Sequence, residues 1–498
     1  AWEWPLIVDG IIVVATVSVV ALAGQRAAWY PWLLLMAGAA VSVAANAIHA
    51  VVAADADVPS ALAGSVAAVP PLVLLAITHL TVVLTRRFRG EPPTQTAELV
   101  SKTMDEFGIS NVVGLGITGV KGVLKGTRPG PTVALIGELD SLVVSDHPMA
   151  DAKTGAAHAC GHNAQIAGLV GAMMGMVDSQ AIEDLAGTVV FFAVPAEEYV
   201  EVEYRLGLVK EGELGFLGGK PELVRLGCFD DVDMALMIHT HSDPDMKKVA
   251  IASSSNGCVV KMIRFLGRAA HAGGAPHEGI NALNAAHVAL AGIHAQRETF
   301  RDQDAIRVHP IITKGGDIVN IVPSETRMET YVRARNEKAM LDAASKVDRC
   351  LQGAAMACGC TVEINTVPGY LPLANDQQLA QLFKNNAEQL FGEGSYQEFP
   401  HSGGSTDAGD LSQIMPVLHP VMTGAAGTIH GKDWRIADPE AGYLAPAKAL
   451  AMMAVDLLHD DAALARQVLA GSRPALTKAD YLAQQKALFN TEVWDPEA

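Results

Sequence analysis

Apolar and polar positions divide the chain into two unlike parts. Residues 4–23, 29–53 and 65–84 are apolar runs almost free of charge, each near the roughly 20 residues a helix needs to cross a bilayer. They predict three transmembrane helices in a membrane region over 1–89. Residues 90–97, "GEPPTQTA", read as a linker. From about residue 98 short apolar runs alternate with helical patterns, which predicts α/β architecture with a mostly parallel sheet. "TVALIGELD" (132–140), "TVVFFAVPAEE" (188–198) and "VDMALMIHTH" (232–241) read as buried strands. "AQIAGLVGAMMGMV" reads as an amphipathic helix with Asn163 as its N-cap. Between 253 and 366 the order strand–helix–strand–strand–helix–strand predicts a ferredoxin-like α+β insertion. That leaves 98–252 and 367–470 as one domain and 471–498 as a C-terminal tail.

Charge narrows the partners. A net charge of −18 over 498 residues argues against a nucleic-acid surface, which needs clustered Lys and Arg. The six cysteines form no C-x-x-C pair, and most read as buried thiols in a reducing compartment. Trp29, Tyr30 and Trp32 suit a membrane interface. Arg26 and "RRFR" (86–89) lie on one side of the spans, and Asp55 and Asp57 on the other. The positive-inside rule then gives a plasma-membrane protein whose part after residue 85 is cytoplasmic. Without residues 1–89 the location would be cytoplasmic outright.

Candidate chemistry gathers at strand ends. Glu138 and Asp140, Glu197 and Glu198, and His239 and His241 each follow a buried run. Ligands of open α/β sheets sit beyond the carboxyl ends of such strands. "HACGHN" (158–163) adds Cys160 and His162 on a loop entering a helix, with Gly161 free to turn both side chains toward one point. Thiolate, imidazole and carboxylate together suit a borderline divalent ion such as zinc. A second ion needs further ligands, and "GAAGTIHGKDW" (424–434) supplies His430. His158 reads as orienting its loop, and His241 equally as a ligand or a neighbour of one. A Cys160 nucleophile would need an imidazole beside it oriented by a third group, and would leave the paired glutamates idle. The zinc-deaminase pattern is absent. Metal-assisted hydrolysis uses more of these residues.

With "GELDSL", "HACGHN", "PAEE", "IHT" and "TIHGKDW" in this order, residues 94–460 resemble the di-metal amidohydrolases and metallopeptidases of the aminoacylase and carboxypeptidase type. The nearest groups are the hippurate, indole-acetyl-amino-acid and aminobenzoyl-glutamate hydrolases. The resemblance implies two divalent metal ions, zinc or manganese, held by Cys160, His162, Glu198, His239 and His430, with the cysteine as bridge. It implies Glu197 as catalytic base and acid and His271 as a catalytic donor to the oxyanion. Asp140 would orient a ligand imidazole, and Asn320 and Arg333 would bind substrate. Residues 253–366 become a lid and dimerisation domain, so a homodimer through the lid is expected, with His271 reaching across it.

Two stretches depart from the family pattern. After Glu198, "YVEVEYRLGLVKEGELGFLGGKPELVRLG" (199–227) replaces a short glycine-rich continuation and reads as lining of the substrate cleft. Near residue 90 the family's first helix gives way to the membrane part, which resembles multi-span membrane proteins of actinobacterial plasmid transfer. The expected function is hydrolysis of the amide bond of small N-acyl amino acids or dipeptide-like substrates by a metal-activated water. The rival is a membrane-anchored transfer or scaffold protein whose truncated hydrolase half is inactive.

Overall fold

A computed structural model describes residues 95–496; the three predicted transmembrane helices lie outside the described residues. Helix α1 (Gln95–Glu106) leads into β1 (Asn111–Leu115), β2 (Gly119–Lys125) and β3 (Arg128–Glu138). It begins inside the stretch expected as linker and buries Val100 and Met104, so a helix stands where the sequence suggested one had been lost. Next come α2 (His162–Asp178), β4 (Ala186–Val194), α3 (Val202–Lys210), α4 (Gly219–Arg225), β5 (Met234–Met237), β6 (His239–Thr240) and β7 (Val249–Ala252).

The first sheet has the order β1-β2-β4-β3-β5, with a short sixth strand, Val417–Leu418, beyond β5. β3 runs parallel to β4 and β5, whereas β2 is antiparallel to both β1 and β4. The sheet is therefore mixed, with β2 alone running against the other strands. β1 and β2 are joined by a tight turn, which can only reverse direction, while a parallel pair needs a long crossover. Successive residues of the central strands enter two different cores. Val133, Leu135, Val189 and Phe191 pack with α1 and α2, and Ala134, Ile136, Val190 and Phe192 with α4. Burial on both faces explains why these strands read as unbroken apolar runs.

The second sheet is the inserted domain: β8 (Gly257–Leu266), α5 (Ala282–Ala295), β9 (Arg307–Val308), β10 (Ile311–Lys314), β11 (Glu325–Ala334), α6 (Glu337–Cys358) and β12 (Thr361–Tyr370). Asn281 and Asn336 cap the two helices through their side chains, and Gly359 ends α6 at a φ of 68°. Both helices pack on one face of the sheet. The chain then returns through α7 (Gln377–Phe391), β13 (Tyr396–Phe399), α8 (Ala408–Ser412), β14 (Val417–Leu418), β15 (Val421–Met422) and α9 (Ala445–Gly471). A small third sheet has the order β13-β7-β15-β6 and includes β7, which leads into the lid.

The C-terminal tail is structured. Helix α10 (Lys478–Ala487) buries Tyr481 in the catalytic core, and β16 (Asn490–Trp494) adds an edge strand to β12 of the lid. The stretch after Glu198 bridges the lid and the catalytic domain. Tyr199, Val202 and Leu217 pack against Val260, Val367 and Tyr370 on the lid face that lacks helices, and Glu203 pairs with Arg327 at 3.1 Å. The apolar residues of its first half pack on the lid, while Gly219 and Lys220 at its far end lie against Ala196 and Glu138. Among the described residues one helix, Glu440–Gly471, is long and apolar enough to cross a membrane. Its most apolar window is 61% buried inside the domain, as a core helix is.

Candidate metal centre

Three strand ends and one helix start converge. Beyond β3 lies Asp140, beyond β4 lie Glu197 and Glu198, and His239 opens β6. Helix α2 begins at His162, two residues earlier than expected, and its N-cap is Gly161 at a φ of 134°. Asn163 is therefore inside the helix, and its amide donates to Tyr443 Oη at 3.4 Å. The turn admits only glycine at position 161: a Cβ there would lie 2.4 Å from Thr240 Oγ1 and 3.1 Å from the His239 ring. That close approach brings Cys160 Sγ to 3.4 Å from His239 Nε2.

Cys160, His162 and His239 present ligand atoms within 4.8 Å of one another, and Cys160, Glu198 and His430 do the same. Cys160 belongs to both of these groups, and a third group, Glu138, His162 and Glu197, shares His162 with the first. His430 reaches it from a loop held by its own N–H donating to Ala159 O at 2.8 Å, and its Nε2 lies 3.1 Å from Glu198 Oε1. Asp140 stands behind His162: its Oδ1 is 3.2 Å from His162 Nδ1, and its Oδ2 accepts the Glu198 N–H at 2.8 Å. This leaves His162 Nε2 buried and without a hydrogen-bond partner. A buried imidazole nitrogen that makes no hydrogen bond, with Glu138 Oε2 3.1 Å away and a thiol beside it, is placed to take a cation. The donor set fits a pair of borderline divalent ions.

Burial alone would push the Cys160 thiol up, but the imidazoles of His239, His162 and His430 bring it down to about 6. Hydrogen bonds to Cys160 and then Glu198 push His430 up to about 10. Burial lifts the Glu197 carboxyl well above its ordinary range, and Glu138, Asp407 and Glu198 add to this. Tyr370 donates to the Glu197 carbonyl.

Other expected residues lie apart. His241 is buried, with Nε2 3.1 Å from Lys247 O and outside both ligand groups. His271 and Asn320 lie exposed on neighbouring lid segments, where Ala272 N–H donates to Asn320 O at 2.9 Å, and do not join the Cys160 cluster. Arg333 donates to Ser405 Oγ at 3.4 Å across the domain boundary. Sequence reasoning missed Lys220, Asp407 and His419, all at or beneath the centre. Lys220 joins Glu138 and Asp407 in buried ion pairs. His419 lies with its ring 6.2 Å from that of His239, and burial holds it down at about 4. The one available signal was a lysine following glycines inside an otherwise apolar stretch, "FLGGK".

An α/β domain with a hinged lid and a cysteine shared between two ligand groups defines a di-metal hydrolase. The chain belongs to Peptidase family M20/M25/M40, whose model matches residues 134–455. It is 30% identical over 331 residues to the Xaa-Arg dipeptidase of Mus musculus, covering 63% of this chain and 70% of the relative. It is 27% identical to the N-acyl-L-amino acid amidohydrolase of Geobacillus stearothermophilus over 56% of this chain and 72% of the relative. In fold it resembles a dinuclear metal-binding peptidase of Bacillus subtilis, with a TM-score of 0.54 at 22% identity, over 73% of this chain and 92% of that one.

Proposed function

We propose that this chain is a metal-dependent amidohydrolase that cleaves N-acyl amino acids or dipeptide-like amides. The observation that carries this reading is Cys160 standing in two ligand groups, with Glu197 grouped beside the His162 of the first. Cys160, His162 and His239 would hold one ion, and Cys160, Glu198 and His430 the other, zinc or manganese. Bound there, the ions supply Lewis acidity and a nucleophilic water at neutral pH.

The chain's own groups do the rest. Glu197, with its raised proton affinity, takes the proton of the attacking water and returns it to the departing amine. Asp140, through its main-chain oxygen and its carboxylate, holds His162 Nδ1, which would leave Nε2 for an ion. Arg333 offers a planar fork to a substrate carboxylate. His271 would stabilise the oxyanion from a second protomer, with Asn320 beside it. Ile318 and Val319 are exposed on the same lid loop, which suits a homodimer through the lid. Residues 1–89 would anchor the enzyme in the plasma membrane with this part in the cytoplasm.

The test is amine release from a panel of N-acyl amino acids and dipeptides, including dipeptides ending in arginine. Glu197→Gln should lower kcat by about 10²- to 10⁴-fold while both ions stay bound. A wild-type chain that binds ions but releases no amine from any member would favour the scaffold reading instead.

A further inference from the structure

We propose that Lys220 is a positioning residue for the metal centre, acting on His162 through Glu138. The inference rests on the di-metal reading above. Lys220 has no exposed surface, and a buried ammonium persists only where it is paired. Its Nζ lies 2.5 Å from Glu138 Oε1 and also pairs with Asp407. Its backbone N–H donates to Asp407 Oδ2 at 2.9 Å, so cation and main chain are locked to the same carboxylate.

Glu138 faces two ways. One oxygen takes the lysine; the other accepts Gln165 Nε2 at 2.6 Å and lies 3.1 Å from His162 Nε2. The lysine, with Gln165 on the other oxygen, fixes which way the Glu138 carboxylate points, and Glu138 in turn faces the nitrogen that His162 would offer to an ion. Without the ammonium, Glu138 and Asp407 would be two buried carboxylates with nothing between them. The turn carrying Lys220 is also seated directly under the glutamate pair. Gly219 N–H donates to Ala196 O at 3.0 Å, and a Cβ on Gly219 would fall 1.6 Å from Pro195 O. No larger residue fits beneath that strand end.

The experiment measures zinc affinity of the full chain by chelator competition, with kcat and KM alongside. Lys220→Met and Glu138→Gln should each weaken zinc binding or lower kcat by about 10- to 100-fold, the usual effect of removing a group behind a ligand, with KM unchanged. The double variant should be no worse than the poorer single one, because both changes break the same link. Zinc affinity and kcat like wild type in Lys220→Met, or losses that multiply in the double variant, would overturn the proposal. Should Lys220→Met not fold, Lys220→Met with Asp407→Asn removes the cation together with one of its carboxylates and must show the same weakening. A wild-type chain that binds zinc but turns over no amide would remove the hydrolase reading and leave Lys220 to be judged on affinity alone.

Discussion

The side chain that organises the centre is a thiol. Cys160 is the one cysteine whose surroundings favour the thiolate: imidazoles offset its burial and hold it at about 6. Burial instead lifts Cys258 and Cys360 to about 11. The thiolate is the reactive form, so reactivity should appear as pH rises through about 6 and vanish below it. Metal-free protein treated with iodoacetamide should be alkylated first at Cys160, with a midpoint near that pH, and zinc should protect it. A midpoint near the ordinary thiol value of 9.0, or no protection, would show that the imidazoles do not face the sulfur. Single residues were unevenly legible. Cys160, His162 and Glu198 stand out as reactive types on short motifs. Lys220 does not, because a lysine after glycines reads as solvated. Only Glu138, 82 positions away, and Asp407, 187 positions away, make it a buried ion.

Lid strands are tied by charge as well as by backbone pairing. Glu325 accepts from Arg327 Nε at 2.9 Å, Lys314 Nζ at 3.1 Å and Arg264 Nε at 3.1 Å, joining β8, β10 and β11. The hydrogen bond from Arg327, then that from Lys314, holds its carboxyl down at about 2. A depressed carboxyl stabilises the fold above its ordinary value of 4.5, and the contribution fades as pH falls toward 2. The group is near the surface, so solvent limits its worth to about 0.2–1 kcal/mol. In urea unfolding, Glu325→Gln should lower stability by that amount at pH 7, and the gap to wild type should narrow between pH 4.5 and 2. A gap that stayed constant with pH would assign the loss to something other than charge. The lid's strands and helices were readable from periodicity because each makes its own pattern. The β1–β2 hairpin's place at the sheet edge, the small third sheet and the pairing of β16 with β12 were not. Those depend on partners far along the chain, and five residues such as Asn490–Trp494 carry too little pattern to name a neighbour.

As a molecule, residues 95–496 form a catalytic domain and a lid linked at more than the two hinges. The segment after Glu198 docks on the open face of the lid sheet, and the C-terminal strand extends that sheet. Gln484 of α10 donates to Glu337 at the start of α6. Both segments bind the lid to the catalytic domain, so the lid's orientation is set by packing and not by the hinges alone. All of this serves one centre, in which a single sulfur is shared by two sets of ligands. Counting metal ions per chain by native mass spectrometry after zinc loading tests that most directly. The expected result is two ions on the wild-type chain and fewer than two on Cys160→Ala, since loss of the shared ligand weakens both positions. One ion on the wild type, or two retained after Cys160→Ala, would contradict it.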